Sequence, residues 1–226
     1  MDFARLARLA PWSGVVFVAF FVVSAALLPI DFMEEPDSVA SSFADDMGRF
    51  LGAAQLAVIA GAALLWFSGT LASALLANGA GHRLAGIART GGAAAATLLI
   101  AGAIVLGVGA LRADEDGSIA PETATAVADI GLILTAAAMP VAAAVLVGAT
   151  AVAALHTRRI LPTWLAWVSV VLAVALVILP INFIAVLVFA VWVLVVSGLM
   201  IAGRLAFGES EAATALFINE TIIIET

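Results

Sequence analysis

The chain has 226 residues, of which 65% are hydrophobic and 11% charged, with a formal net charge of −7 and a mean hydropathy of +1.22. Soluble domains are about half apolar and about a quarter charged, so this composition excludes an ordinary soluble domain and requires lipid as a solvent. The chain has no cysteine and no lysine, which excludes disulfides, thiolate metal sites and lysine Schiff bases, and its acidic balance argues against nucleic acid as a partner.

Six continuous apolar runs predict an all-α, polytopic membrane protein with six transmembrane helices. Helices are favoured over a β-barrel because the runs do not alternate with a period of two residues. The last 40 apolar residues, 164–203, would form one helix of about 60 Å, twice the hydrocarbon core, so a tight turn is predicted at Pro180 and Asn182. The predicted spans are about 13–28, 50–77, 91–111, 127–155, 164–179 and 183–203.

The loops between the runs alternate between basic and acidic, which predicts how the chain threads the membrane. With six spans, seven of the nine arginines fall on the side of both termini, and most carboxylates fall on the other side with Arg49 and Arg112. An excess of arginine in short loops is typical of the cytoplasmic face, so both termini are predicted to be cytoplasmic. Residues 1–204 are thus predicted to form one transmembrane domain, and residues 205–226, from Leu205 to Thr226, a cytoplasmic tail.

Two elements are predicted in the outer loops. The stretch from Val39 to Phe43 suits a short helix at the membrane interface. Pro121 followed by Glu122 suits the first turn of the fourth span, where a carboxylate meets the positive end of the helix dipole. On the inner side, Trp12, Trp164 and Trp167 are predicted to anchor helices at the interface, where amphipathic rings are enriched.

Two charged residues stand at the outer edges of apolar runs. Arg49 opens the second span, with Gln55 about a turn and a half deeper, and Asp129 opens the fourth. An arginine and an aspartate at matching depth on neighbouring helices lower each other's desolvation cost, so Arg49 and Asp129 are predicted to form a structural ion pair. The alternatives are that the two charges are separately solvated helix ends, or that Asp129 has a gate or proton-relay role.

Small residues predict where the helices approach most closely, since close packing replaces the hydrophobic drive between helices in lipid. The second, third and fourth spans are rich in them and are predicted to form the tight inner packing. The first, fifth and sixth spans carry Phe17, Phe20, Phe21 and Trp192 and are predicted to face lipid or another subunit. Pro140 is predicted to kink the fourth span. The candidate packing glycines are Gly48, Gly52, Gly61, Gly69 and Gly102.

Three short motifs resemble a group of uncharacterised small multi-pass membrane proteins, carrying a domain of unknown function, from high-GC bacteria. They are Asp46-Met47-Gly48-Arg49, Asp129-Ile130-Gly131 and the stretch from Pro162 to Trp167. The resemblance covers residues 45–204. It implies a six-helix protein of the bacterial cytoplasmic membrane and no particular chemistry.

Ionisable groups within the spans are the usual mark of catalytic, cofactor-binding or metal-binding sites in membrane proteins. The predicted spans contain almost none, so the sequence predicts no such residue. The leading interpretation is a non-enzymatic scaffold or accessory protein that binds membrane lipid, another membrane protein or copies of itself, with the tail as a possible docking segment. The alternative is a small transporter or channel with a polar outer mouth. A water-filled cavity reaching Thr135 and Gln55 would favour the alternative; a flat aliphatic face on spans five and six would favour a partner. A lipid-modifying enzyme is the third possibility, disfavoured by the missing nucleophile.

Overall fold

The computed structural model describes residues 9–28, 36–115, 119–157, 160–178 and 183–203. Within these ranges every regular element is helical, as the sequence predicts. The elements are α1 (Trp12–Leu27), α2 (Pro36–Asp45), α3 (Met47–Ala77), α4 (Gly81–Glu115), α5 (Pro121–Leu132), a π-helical segment (Ile133–Ala138), α6 (Met139–Thr157), α7 (Thr163–Ile178) and α8 (Phe183–Ile201).

Four helical stretches are long and apolar enough to cross a membrane: α3, α4, the continuous stretch Pro121–Thr157, and α8. The apolar helices α1 and α7 have 16 described residues each, fewer than the roughly 20 that a straight crossing needs. The structure therefore shows a helical membrane bundle with at least these four candidate spans.

A tight turn joins α3 to α4. The amide of Ala80 donates to the carbonyl of Leu75 at 3.0 Å and that of Gly79 to Leu76 at 3.0 Å, the paired bonds of a Schellman motif. Gly79 and Gly81 have φ of 83° and 77°, a region that residues with a Cβ avoid. Because the turn takes only residues 78–80, α4 begins at Gly81, ten residues before the apolar run predicted to start at 91.

The six long helices form a closed ring in the order α1, α3, α4, α6, α7, α8, with α8 returning to α1. The most extensive contact is between α3 and α4, and α4 also packs closely on α6. This agrees in part with the tight packing predicted for spans two to four, because α4 packs closely on both α3 and α6, whereas α3 and α6 make few contacts with each other. Each helix thus has one face toward its neighbours and one toward the surroundings.

Phe17, Phe21 and Trp192 point into the ring, so the prediction that these aromatic side chains face lipid or a subunit is wrong. Phe17 and Trp192 are 0% and 3% exposed. The Phe17 ring lies 6.0 Å from that of Phe189, which lies 6.2 Å from that of Trp192. Phe21 is also buried, and Phe20 packs partly buried against the same core. These aromatic rings fill the space where the first and last helices of the ring meet. By contrast, Trp12, Trp164 and Trp167 are exposed.

A buried hydrogen bond joins α7 to α8. The Nε1 atom of Trp192 donates to the Oγ atom of Ser169 at 2.8 Å, and Ser169 Oγ donates to the Leu165 carbonyl at 2.7 Å. The buried Ser197 Oγ, also on α8, has no hydrogen-bond partner in the described part of the chain. The two serines are therefore a matched pair of buried hydroxyls: Ser169 accepts the hydrogen bond of the Trp192 indole, and Ser197 makes none among the described residues.

We expect Ser169→Ala to lower the free energy of unfolding by about 1 kcal/mol, because it leaves the Trp192 N–H buried without an acceptor. Ser197→Ala removes an unpartnered hydroxyl and is expected to be neutral or slightly stabilising. Thermal unfolding of both variants in the same mild detergent measures the difference. Equal melting temperatures for the two would contradict a stabilising role for the indole bond.

Candidate binding cavity

Helix α2 is amphipathic and lies at one end of the bundle. It packs on α5, α4 and α3. Val39 and Phe43, one turn apart, are 6% and 0% exposed, whereas Asp37 and Asp45 are exposed. The helix predicted over Val39 to Phe43 is therefore confirmed, and it is longer than the five residues predicted; its place at the membrane interface stays a prediction. The end of the bundle that carries α2 is here called the α2 end, and the opposite end, with residues 78–80, the turn end.

Phe43 fixes α2 to the bundle. Its ring centroid lies 4.6 Å from that of Phe50 at the start of α3. On α4, the missing side chain of Gly109 makes room for it, since a Cβ there would lie 3.3 Å from Phe43 Cζ and 2.7 Å from Val127 Cγ1. Phe43 and Phe50 thus belong to a small apolar cluster, separate from the main core, that closes the α2 end.

A π-helical segment, Ile133–Ala138, separates α5 from α6. Pro140 follows it and has no N–H to donate to the carbonyl of Ala136, so the regular α-helical ladder cannot continue there. The Met139 amide bonds instead to the Leu134 carbonyl, the wider π spacing. The disturbance predicted at Pro140 therefore takes the form of a π turn on its N-terminal side, a feature that often accompanies functional sites.

The π segment approaches α4 closely at Gly102. A Cβ on Gly102 would lie 2.9 Å from the carbonyl oxygen of Gly131 and 2.5 Å from the Cγ2 atom of Thr135. The Thr135 hydroxyl donates to that same Gly131 carbonyl at 2.8 Å. The absence of a side chain at residue 102 is thus what lets the two helices meet here.

A cavity of about 240 Å³ lies inside the α2 end of the ring. The parts of the helices that line it are the last turns of α1, the first turns of α3, the second half of α4, the junction of α5 with the π segment, and the start of α8. Its lining is Phe21, Ser24, Ala25, Leu28, Phe50, Ala53, Ala54, Ala57, Leu99, Ala103, Leu106, Leu132, Thr135, Ala136 and Val186.

The lining offers two side-chain hydroxyls, and both already donate to backbone carbonyls. Ser24 Oγ donates to Ala53 at 2.8 Å, and Thr135 Oγ1 to Gly131 at 2.8 Å. The lining contains no charged residue. With its donors engaged and its other side chains aliphatic or aromatic, the cavity is suited to an apolar guest.

Two of the elements that line the cavity, the π segment and α8, do not pack against each other extensively in the described part of the chain. The extensive contacts of α5 are with α4 and α2, and those of the π segment with α4, α5 and α6. Val186 on α8 and Ala136 on the π segment both line the cavity, yet among the described residues these two elements make no extensive contact with each other.

The expected Arg49–Asp129 ion pair does not form. Arg49 pairs with Asp46 instead, one turn earlier, with 3.2 Å between Nη1 and Oδ1. Asp129 is exposed and has no ion pair among the described residues. Gln55 is exposed on the outer face of α3, so it does not reach the cavity. Local helix geometry makes the Asp46 pair available without any tertiary contact, which is why Arg49 needs no partner on α5.

The predicted packing glycines divide into two groups. A Cβ on Gly61 would lie 3.1 Å from the Ala96 carbonyl oxygen, and Gly102 is as close to its neighbours, so both sit at tight helix contacts. A Cβ on Gly48 or Gly69 would have nothing within 4 Å, and one on Gly52 would meet only Leu27 at 3.9 Å. These three glycines are therefore not at close contacts, and the Gly48-x-x-x-Gly52 spacing does not mark a packing face.

The sequence interpretation missed Gly91, Gly92 and Gly14 as packing positions. A Cβ on Gly91 would lie 2.7 Å from the Leu146 amide nitrogen, and one on Gly92 would collide with Ser68. On α1, a Cβ on Gly14 would collide with Ser197. The adjacent glycines 91 and 92 inside a helical pattern were the available signal, since such glycines cost helix stability and need a reason. The predicted turn at Pro180 and Asn182 and the tail, 205–226, lie outside the described residues.

The fold and cavity define a class: an all-helical bundle with helices long and apolar enough to span a membrane, and with an apolar cavity near one end. Comparison with known protein families, with curated proteins and with solved structures gives no significant match. The resemblance to the uncharacterised bacterial group therefore stays a prediction.

Proposed function

We propose that this protein is a six-span, non-enzymatic protein of the bacterial cytoplasmic membrane that binds the hydrocarbon chain of a lipid in the cavity at its α2 end. The described charges support the topology. His82, Arg83, Arg89 and His156 are exposed near the turn end, whereas the exposed carboxylates lie near the α2 end, as expected if the turn end is cytoplasmic. The cavity then lies in the outer half of the bilayer.

The single observation that carries the proposal is a partly open apolar cavity between the helices, whose lining hydroxyls already donate to backbone carbonyls. An apolar cavity of about 150 Å³ in a soluble protein stays dry and takes up benzene. The cavity here measures about 240 Å³, so a hydrocarbon segment larger than benzene fits it. In a membrane, the acyl or isoprenoid chains of lipids are the hydrocarbon present at highest concentration.

The transporter or channel alternative needs a polar path, and the geometry supports it less. Thr135 lines the cavity, but its hydroxyl is engaged and Gln55 lies outside. The exposed aliphatic faces of α7 and α8, such as Val171 and Val191, suit either lipid or a membrane partner. The cavity, rather than these faces, therefore distinguishes a lipid-binding accessory protein from the alternatives.

Filling the cavity is expected to abolish chain binding. Ala103, 4% exposed, lines the cavity on α4, and Ala94 on the same helix faces outward. Protein in lipid nanodiscs that contain a phospholipid with a diazirine on one acyl chain is irradiated, and labelled peptides are mapped by mass spectrometry. We expect wild type and Ala94→Phe to be labelled at cavity residues, and Ala103→Phe to lose that labelling.

A second filling variant, Ala25→Phe, introduces a phenyl ring into the cavity from α1. It keeps the test valid if Ala103→Phe fails to fold. Each variant is accepted only if its gel-filtration profile matches that of wild type. The proposal is overturned if labelling in wild type is confined to outward-facing positions, or if both filling variants keep the cavity labels.

A further inference from the structure

A surface groove runs between α3 and α4 toward the turn end, on the opposite end of the bundle from the cavity. Its volume is about 440 Å³, and it is lined by Trp66, Gly69, Ser73, Arg89 and Ala93 among others. Gly69 leaves open space, since a Cβ there would meet nothing within 4 Å. Trp66 is 58% exposed and forms an aromatic wall.

The groove has a charged end and an apolar end. Ser68 and Gly92 lie at the same depth, because a Cβ on Gly92 would touch Ser68. From this shared depth, Arg89 lies three residues toward the turn end and Trp66 lies two residues toward the α2 end. With a rise of about 1.5 Å per residue, the two are roughly 8 Å apart along the bundle. Arg89 lies two residues before the apolar run 91–111, where we place the edge of the hydrocarbon.

Arg89 has no counter-charge among the described residues. It forms no ion pair there, and the ionisable groups described near it are His82, Arg83 and His156. Every described carboxylate lies toward the α2 end. Arg89 is exposed, and arginines at the edge of the hydrocarbon extend toward the interface, so its guanidinium group is accessible to an anion from outside the described bundle.

The geometry points to a binding site for an anionic phospholipid of the leaflet at the turn end, with its phosphate on Arg89 and one acyl chain along Gly69 and Ala93 against Trp66. Guanidinium groups bind phosphate oxygens through parallel N–H bonds, and basic pockets between helices on the cytoplasmic side are suited to anionic headgroups. The hydroxyls of Ser73 and Thr70 donate to carbonyl oxygens of their own helix, so their protons are not available to a phosphate. Arg89 therefore supplies the hydrogen bonds that recognise the phosphate. The site is independent of the cavity and of the chain bound there.

Phosphatidylglycerol carrying bromine on its acyl chains is the probe, because bromine quenches nearby tryptophan fluorescence. Purified protein in neutral detergent–phosphatidylcholine micelles is titrated with it, and the Trp66 contribution is obtained by difference from Trp66→Phe. We expect saturable quenching of Trp66 by the brominated phosphatidylglycerol. Arg89→Gln should weaken binding about fivefold, the equivalent of about 1 kcal/mol for one basic residue near a membrane surface.

Three controls make the outcome decisive. Arg83→Gln removes the same charge from the same helix at a position outside the groove and should leave the affinity within twofold of wild type. Brominated phosphatidylcholine tests whether the chain alone suffices, and inorganic phosphate tests whether a free anion competes at millimolar concentration. Arg89→Lys, which keeps the charge, should retain most of the affinity. Equal quenching by both lipids, or equal losses of affinity in Arg89→Gln and Arg83→Gln, overturns the proposal.

Discussion

Replacing Phe43 with alanine is expected to release α2 from the bundle, at a cost of about 3 kcal/mol, the low end for truncating a buried phenylalanine. The side chain is 0% exposed and holds α2 through its contact with Phe50 and the space beside Gly109. Because α2 lies at an end of the bundle and carries exposed aspartates, its docking removes apolar surface from water, so the ordinary hydrophobic effect applies. The loss is expected to be local, since the main core is a separate cluster.

Hydrogen exchange followed by mass spectrometry measures this loss. A cost of about 3 kcal/mol corresponds to an increase of about two orders of magnitude in the exchange rate of α2 amides, with α3 and α4 unchanged. Ser41→Ala, on the exposed side of the same helix, is the control and should keep wild-type protection. If Phe43→Ala leaves α2 as protected as in wild type, then Phe43 does not anchor the helix.

Gly102→Ala is expected to lower the free energy of unfolding by about 1–3 kcal/mol, the usual range for overpacking. The new methyl group would press on the Gly131 carbonyl oxygen, 2.9 Å away, and on Thr135. A backbone oxygen cannot rotate out of the way as a flexible side chain can, so α4 or the π segment must shift. The same shift would alter the cavity wall, because Thr135 belongs to it.

Gly69→Ala is the matched control for this prediction. Gly69 lies inside α3 with open space around the position of a Cβ, so alanine should stabilise the protein by up to about 1 kcal/mol through helix propensity. Adding Thr135→Ser to Gly102→Ala removes the Cγ2 methyl and keeps the hydroxyl, and should restore part of the lost stability. The predicted close contact would be refuted if the two glycine variants shift the unfolding midpoint in the same direction.

The pattern of apolar runs and turn residues predicted the helices well where local chemistry determines them. Pro121 begins α5 with Glu122 in its first turn, and the α2 stretch forms its expected helix. The boundaries of α4 were missed because a hydropathy window stops at charged residues. Arg89 and Arg112 are compatible with a helix and simply continue it beyond the apolar run.

The candidate site was predicted only in part. The π turn follows from Pro140, which the sequence displays, but the cavity beside it depends on which faces of α1, α3, α4 and α8 turn inward. The Arg49 pairing failed for a related reason. Proximity within one helix is visible in the sequence, and Arg49 pairs with Asp46 in that way; depth in the membrane alone does not show whether two helices present their charges to each other.

The sequence by itself determined the class of protein: its solvent is lipid, its elements are helices, and its charges collect at two opposite ends. Tertiary structure alone decided which glycines are at close contacts, why Phe17 and Trp192 face inward, and where a cavity remains. The physical reason is that lipid and the interior of a membrane protein are about equally apolar. A buried face and a lipid-facing face therefore carry the same residues, and only the close packing of specific helices distinguishes them.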